Sequence, residues 1–153
     1  MKRAVSSVLL VLALSLLASC ATSGPKFVDY KTVMAPPTNP ELSRIFFYRT
    51  SALGAALRPD VLLNGEKVGE AIARGFFYVD RPPGEYVAVT STEVTRKVSF
   101  VLEKDQTRYI KFIVSMGFFV GHVYGELVDE SVALSEINDC RYTGDTSAKQ
   151  GKE

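Results

Sequence analysis

The chain has 153 residues, 46% of them hydrophobic and 23% charged, with a formal net charge of +1. That composition excludes collagen-like, coiled-coil and strongly disordered classes, and so small a charge gives no electrostatic case for nucleic acid as a partner. The length fits a single domain.

In chain order, Met1-Lys2-Arg3 is a short basic start. Ala4 to Leu17 is apolar apart from Ser6, Ser7 and Ser15, and Ala18-Ser19-Cys20 follows. A basic start, an apolar middle and a small-residue exit form the pattern of a secretory signal peptide, expected over residues 1–19. The apolar run is shorter than the ~20 residues a spanning helix needs, which disfavours the alternative of an uncleaved anchor. Cleavage removes Lys2 and Arg3 and leaves a mature body near neutrality. Leu17-Ala18-Ser19-Cys20 resembles the lipobox of bacterial lipoproteins. The resemblance implies diacylglycerol on the Cys20 thiol, cleavage before it and acylation of the new amine. More than one acyl chain holds a protein on a bilayer where a single chain does not. Ala21, rather than an aspartate, follows the cysteine, which under the same resemblance points to the outer membrane with the body facing the periplasm.

Residues 20–40 read as a lipidated tether. Ala35-Pro36-Pro37-Thr38-Asn39-Pro40 favours extended backbone at ~3.1 Å per residue, a reach of up to ~60 Å. Residues 41–142 read as the folded domain and 143–153 as a disordered polar tail.

The domain is expected to be an all-β antiparallel sandwich of about seven or eight strands with one short C-terminal helix. Leu42 to Arg49 is aromatic and β-branched. Val61-Leu62-Leu63 runs into Asn64-Gly65, whose residues suit the positive φ angles of a type I′ hairpin, with Val68 to Ile72 returning. Phe76 to Val79 precedes Arg81-Pro82-Pro83-Gly84, where proline presets φ and the glycine is expected in a left-handed conformation. Tyr86 to Thr90 follows. Val98, Phe100 and Leu102 alternate with Lys97, Ser99 and Val101, and after Glu103-Lys104-Asp105-Gln106 the segment Tyr109 to Ser115 is expected to pair back. Phe118 to Val128 is the last long strand. Gly117, Gly121 and Gly125 recur every fourth residue, a small-residue face for membrane dimers were the stretch a helix, and on the strand that its aromatic and β-branched content favours a smooth strip for aromatic rings. Asp129 to Ile137 reads as a short helix.

Val61-Leu62-Leu63-Asn64-Gly65-Glu66-Lys67-Val68-Gly69 and Arg81-Pro82-Pro83-Gly84-Glu85-Tyr86-Val87 resemble the turn motifs of PEGA-type domains, small β-sandwiches of bacterial envelope proteins. The stretch Arg44 to Val128 carries Arg58-Pro59-Asp60, Gly75-Phe76-Phe77-Tyr78 and Gly117-Phe118-Phe119-Val120-Gly121-His122. It resembles a family of uncharacterised bacterial lipoproteins known only as a domain of unknown function. The resemblance implies a sandwich fold and no catalytic residue.

Little chemistry is written in the residues. With Cys20 acylated, Cys140 has no partner in the chain; it lies in a polar setting near the terminus and is a structural or incidental thiol ahead of an intermolecular disulfide or a nucleophile. His122, the only histidine, would have to meet Cys140 to make an enzyme. Metal-ligand spacing and phosphate-binding glycine loops are absent from the sequence, so no metal or cofactor is expected. Neighbours in Ile45-Phe46-Phe47-Tyr48 and Phe76-Phe77-Tyr78-Val79 are large and apolar on both strand faces. Either the C-terminal helix or the tether covers the second face, or it is a partner surface. Ser51 to Leu57 is an unusually apolar connection that packs inward or touches lipid or protein. Leu53 and Leu57, with Phe118 and Phe119, are the candidate binding residues. The expected function is therefore a non-catalytic, lipid-anchored envelope module for protein interaction or structure. The alternatives are a carrier of a small apolar or lipid ligand between the sheets and, third, a Cys140/His122 enzyme.

Overall fold

Ser43 to Arg49 forms strand β1, and every one of its seven residues is buried. A strand greasy on both faces must be covered on both, and this one is the middle of a three-layer body. The computed structural model describes residues 24–37, 39–91, 95–115 and 121–144. Among them lie nine strands: β1, β2 (Asp60–Leu63), β3 (Glu66–Glu70), β4 (Gly75–Arg81), β5 (Gly84–Ser91), β6 (Thr95–Leu102), β7 (Thr107–Ser115), β8 (His122–Val128) and β9 (Arg141–Tyr142). A short helix α1 (Phe27–Tyr30) precedes them, and α2 (Glu130–Glu136) runs into a 3-10 turn at Ile137–Asp139.

The strands form a five-stranded sheet in the order β8-β7-β1-β4-β9 and a four-stranded sheet in the order β3-β2-β5-β6. This is the expected sandwich, with two departures from purely antiparallel pairing. β1 pairs parallel with β7, and β4 pairs parallel with β9. The reason lies in the connections, because the chain crosses between sheets after β1, β3, β4 and β6. The turn at Glu103 to Gln106 is therefore a corner, not a hairpin: β7 pairs with β1 and β8, and not with β6.

Between the sheets the inward residues of β1, Ile45 and Phe47, meet Val61, Leu63, Phe77, Phe100, Leu102, Ile110 and Phe112. The rings of Phe47 and Phe77 stack at 4.9 Å, and those of Phe47 and Phe112 at 6.0 Å. Gly69 admits Phe77 at its back; a Cβ there would lie 2.6 Å from the ring. The hairpin β2–β3 turns on Asn64 and Gly65 with φ of 49° and 88°, the left-handed pair that a type I′ turn requires.

A second apolar layer sits on the outer face of the larger sheet. Phe46, Tyr48, Phe76 and Tyr109 point outward and are covered by Phe27, Ala133, Ile137 and Cys140. The segment expected to be a free tether thus belongs in part to the fold. Phe27 stands edge-on to Phe76 at 5.2 Å and is 3% exposed, a burial that contributes about 2 kcal/mol. Tyr30 stacks on Tyr142 at 4.6 Å. The N-terminal strap and the chain's far end also hold each other by backbone bonds, Phe27 N–H to Cys140 O and Tyr142 N–H to Pro25 O. The proline-rich composition signalled extension, but an apolar face with nothing else to cover it captures the aromatic residues upstream of the prolines. Likewise Thr143, expected in the tail, is buried and donates to Phe76 O. Residues 145–153 and 1–23 lie outside the described residues.

Candidate functional site

Arg49 closes the inward side of β1 and is fully buried. Its guanidinium has no carboxylate partner among the described residues. Instead it donates to four backbone carbonyls: Leu57 O at 2.8 Å, Ala71 O at 3.0 Å, Gly54 O at 2.9 Å, and Leu53 O. A charge taken out of water needs such partners, which the two terminal nitrogens find while the buried Nε has none among the described residues, and burial lowers the pKa of the group. Three of the four carbonyls belong to the connection after β1, so Arg49 fixes the shape of that loop. Gly54 takes a φ of 62° within it, and Leu57 N–H closes a turn onto Gly54 O.

The loop divides its two leucines. Leu57 turns inward, half-buried against the intersheet core and within reach of Gly54 and Gly121. Leu53 stays outward, 53% exposed, in company with the exposed Ala52, Ala55 and Ala56. Of the candidate binding residues, the structure therefore leaves Leu53 exposed and spends Leu57 on packing. Phe118, Phe119 and Gly117 lie outside the described residues, as does Cys20. Gly125 faces Ile110, Val98 and Phe112, so at that position the glycine strip serves the molecule's own packing.

Beside the loop lies a cleft of about 760 Å³, bounded by Lys26, Arg74, Arg141, Ala52, Ala55 and Asp139 among others. Its carboxylates are already engaged. Asp139 pairs with Lys26 at 2.7 Å, and Glu136 pairs with Lys111 at 2.7 Å while accepting from the Tyr48 hydroxyl at 3.0 Å. Hydrogen bonding to Lys26 holds Asp139 below its usual carboxylate range, and hydrogen bonding to Lys111 does the same for Glu136. Arg141 donates to Gly24 O at 2.9 Å, where the described chain begins. Arg74 and Arg141 have no ion-pair partner among the described residues. Sequence reasoning missed both, because isolated arginines in a turn and near a terminus carry no pattern.

The Cys140 thiol is also at this cleft, but it is 2% exposed. Burial pushes its pKa up to about 12, the opposite of what a nucleophile needs. Its polar neighbour is the Arg49 carbonyl at 3.6 Å. Although Asn138, Asp139 and Arg141 flank it in sequence, the sulfur itself is buried, and the nearby charges of Asp139 and Glu136 add to the upward shift. His122 opens β8 and Cys140 immediately precedes β9, the two opposite edges of the five-stranded sheet. The pair does not form a dyad. No group of three or more metal-ligating side chains occurs among the described residues. Stacked rings fill the space between the sheets. A second cleft, about 580 Å³, lies on the outer face between the proline segment and Phe46 and Tyr109.

Residues 40–123, more than half of the chain, match the family described as a protein of unknown function, DUF2846. The chain belongs to this family. The DUF2846 region runs from the start of the sandwich to the first residues of β8, and it omits both the strap and the α2–β9 segment that cover the outer face. The chain is also similar to an uncharacterised protein of Haemophilus influenzae, 29% identical over 129 residues that span 80% of this chain and 77% of the relative. No solved structure matches this DUF2846 chain. No helix among the described residues is long and apolar enough to cross a membrane.

Proposed function

We propose that this DUF2846 protein is a bacterial envelope lipoprotein, anchored through acylated Cys20 on the periplasmic side of the outer membrane, whose sandwich serves as a non-catalytic interaction or structural module. The observation that carries the reading is Leu17-Ala18-Ser19-Cys20 placed directly after the apolar run. The likeness of its hairpin and corner to PEGA-type envelope domains belongs to the same proposal. The suppressed Cys140 thiol and the separation of His122 from it support a role without catalysis. The filled intersheet core speaks against a carrier of ligands between the sheets. Because the chain's own flanks cover the outer sheet face, contact with partners falls to the ends of the sandwich and to the connection around Leu53.

Intact-mass analysis of the protein purified from its native membrane tests the anchor. The expected product begins at Cys20 and carries acyl chains, and Cys20→Ala yields full-length precursor without them. A native product with an unmodified start overturns the reading. Crosslinking in intact cells then identifies the partner.

A further inference from the structure

Three features meet at one end of the sandwich: Gly24, the first described residue, an exposed apolar loop and a rim in which the cations Lys26, Arg74 and Arg141 outnumber the carboxylates Glu136 and Asp139. Arg141 holds Gly24 O at the rim of the 760 Å³ cleft, and Lys26 lines the same cleft. Ala52 and Ala55 form its opposite wall and carry the exposed Leu53 between them. Asp139 pairs with Lys26 and also feels the charge of Arg74, and Glu136 pairs with Lys111, so the excess charge of the rim is positive and rests on Arg74 and Arg141. Arg74 is exposed, and its side chain donates no hydrogen bond among the described residues.

Covalent reach decides what such a rim faces. Cys20 to Gly24 spans four residues, at most ~14 Å when fully extended. With the next residues held by β9, the leash on a Cys20-acylated body is that short, and not the ~60 Å of a free twenty-residue tether. Resting on the lipoprotein reading above, we infer that this rim is a membrane-docking face. Leu53 and its flanking alanines enter the boundary between headgroups and acyl chains of a leaflet containing anionic phospholipid. Arg74 and Arg141 meet the lipid phosphates. Shallow apolar insertion beside basic side chains is how peripheral segments bind such surfaces.

The sequence contains no tryptophan, so one introduced indole reports alone. The acylated full-length product is prepared with Leu53→Trp or, as a control, Val101→Trp. Val101 is 49% exposed near the end of β6, at the end of the sandwich where β1 begins and away from the loop that follows it. Both are reconstituted in vesicles of phosphatidylethanolamine and phosphatidylglycerol with and without brominated acyl chains. The Leu53→Trp indole is expected to shift to the blue and to lose roughly half its emission to the bromine, as fits an insertion of ~5–10 Å. The Val101→Trp indole stays unquenched. Adding Arg74→Glu to Leu53→Trp abolishes the quenching while the acylated chain still floats with the vesicles. If intact mass shows acyl chains on Cys20 and the two indoles are equally unquenched, docking is overturned and the anchor stands. If the mass shows no acyl chains, the anchor falls and the docking face with it.

Discussion

Arg49 and Arg44 lie five residues apart on one strand and solve the burial of a charge in different ways. Arg44 points to the outer face, forms a two-pronged ion pair with Asp80 at 2.7 and 2.9 Å, and lies 4.1 Å above the Tyr78 ring. Arg49 points inward with backbone carbonyls alone for company. Replacing Arg49 with methionine removes the cation together with the guanidinium donors to all four carbonyls, leaving Gly54 O its backbone bond from Leu57 and the rest of the loop to find water. Hydrogen bonds to charged groups are worth about 1.5–3 kcal/mol each and do not add, so Arg49→Met is expected to cost about 3 kcal/mol in urea unfolding. Arg49→Lys keeps the charge but lacks the planar fork that reaches several oxygens at once, and should recover no more than part of the loss. A change of urea midpoint within error for Arg49→Met would contradict the role of Arg49 as the loop's organiser. None of this was legible in the sequence. An arginine at the end of Ile45-Phe46-Phe47-Tyr48-Arg49 reads as the polar stop of a strand, and only the crossing of the following loop over that strand end turns it into a core residue. For Cys140 the sequence left a structural thiol beside an intermolecular disulfide and a nucleophile, and its burial fits the first.

Elements whose shape follows from local backbone rules were readable, and those fixed by a distant layer were not. Asn64-Gly65 fell where a type I′ turn needs it, and the strands around it followed. Pro82-Pro83 also marked a turn, but Gly84 does not adopt the left-handed conformation expected of it: its φ lies outside that region, and β5 starts there. The proline pair acts as a corner between sheets, and a corner can be turned with extended residues. The two glycines therefore separate cleanly under mutation. At Gly65 nothing lies within 4 Å of a new Cβ, so Gly65→Ala meets only backbone strain, about 1 kcal/mol. Gly84→Ala meets its nearest atom, in the Tyr86 ring, at 3.9 Å and should change stability by less than about 0.5 kcal/mol. Equal losses at the two positions, measured by urea unfolding, would refute this assignment of the turns. The corner at Glu103 to Gln106 escaped prediction because pairing partners are non-local choices, whereas apolar residues on both strand faces did announce a cover by the C-terminal helix or the tether, and both supply it. Alternation in β6 and β7 is compatible with either sheet.

At the scale of the whole molecule, the family region supplies a sandwich with one greasy outer face, and the two chain flanks close it. That outer layer holds an unusual concentration of groups that resist ionisation. Burial raises the pKa of Tyr48, whose hydroxyl donates to Glu136, and of Tyr109, whose hydroxyl donates to Glu130. Burial likewise pushes Tyr78 and Cys140 up to about 12 from ordinary values of 10 and 9. Below about pH 8 these groups are neutral in the folded and the unfolded chain alike and their contribution to stability is fully present, and by pH 9 only the unfolded thiol has begun to ionise, a small loss. As the pH rises from 9 toward 12 the unfolded chain sheds protons that the folded one keeps. The unfolded state then binds fewer protons, the slope of unfolding free energy against pH turns negative, and stability falls. The urea midpoint is accordingly expected to be nearly flat from pH 7 to 9 and to decline steeply above it. Since all four groups belong to or pack against the same outer cluster, the strap and the α2–β9 segment should lift before the sandwich opens. Cys140 provides the clock for that order. Its thiol should resist a disulfide reagent at pH 8 in the folded protein, and should react above pH 10 while the far-ultraviolet signal of the sheets persists. Tyr48→Phe removes one titrating phenol and should make the decline shallower. A urea midpoint that does not fall between pH 9 and 11, or a thiol that reacts freely at pH 8, would mean that the outer layer is not the closed cover described here.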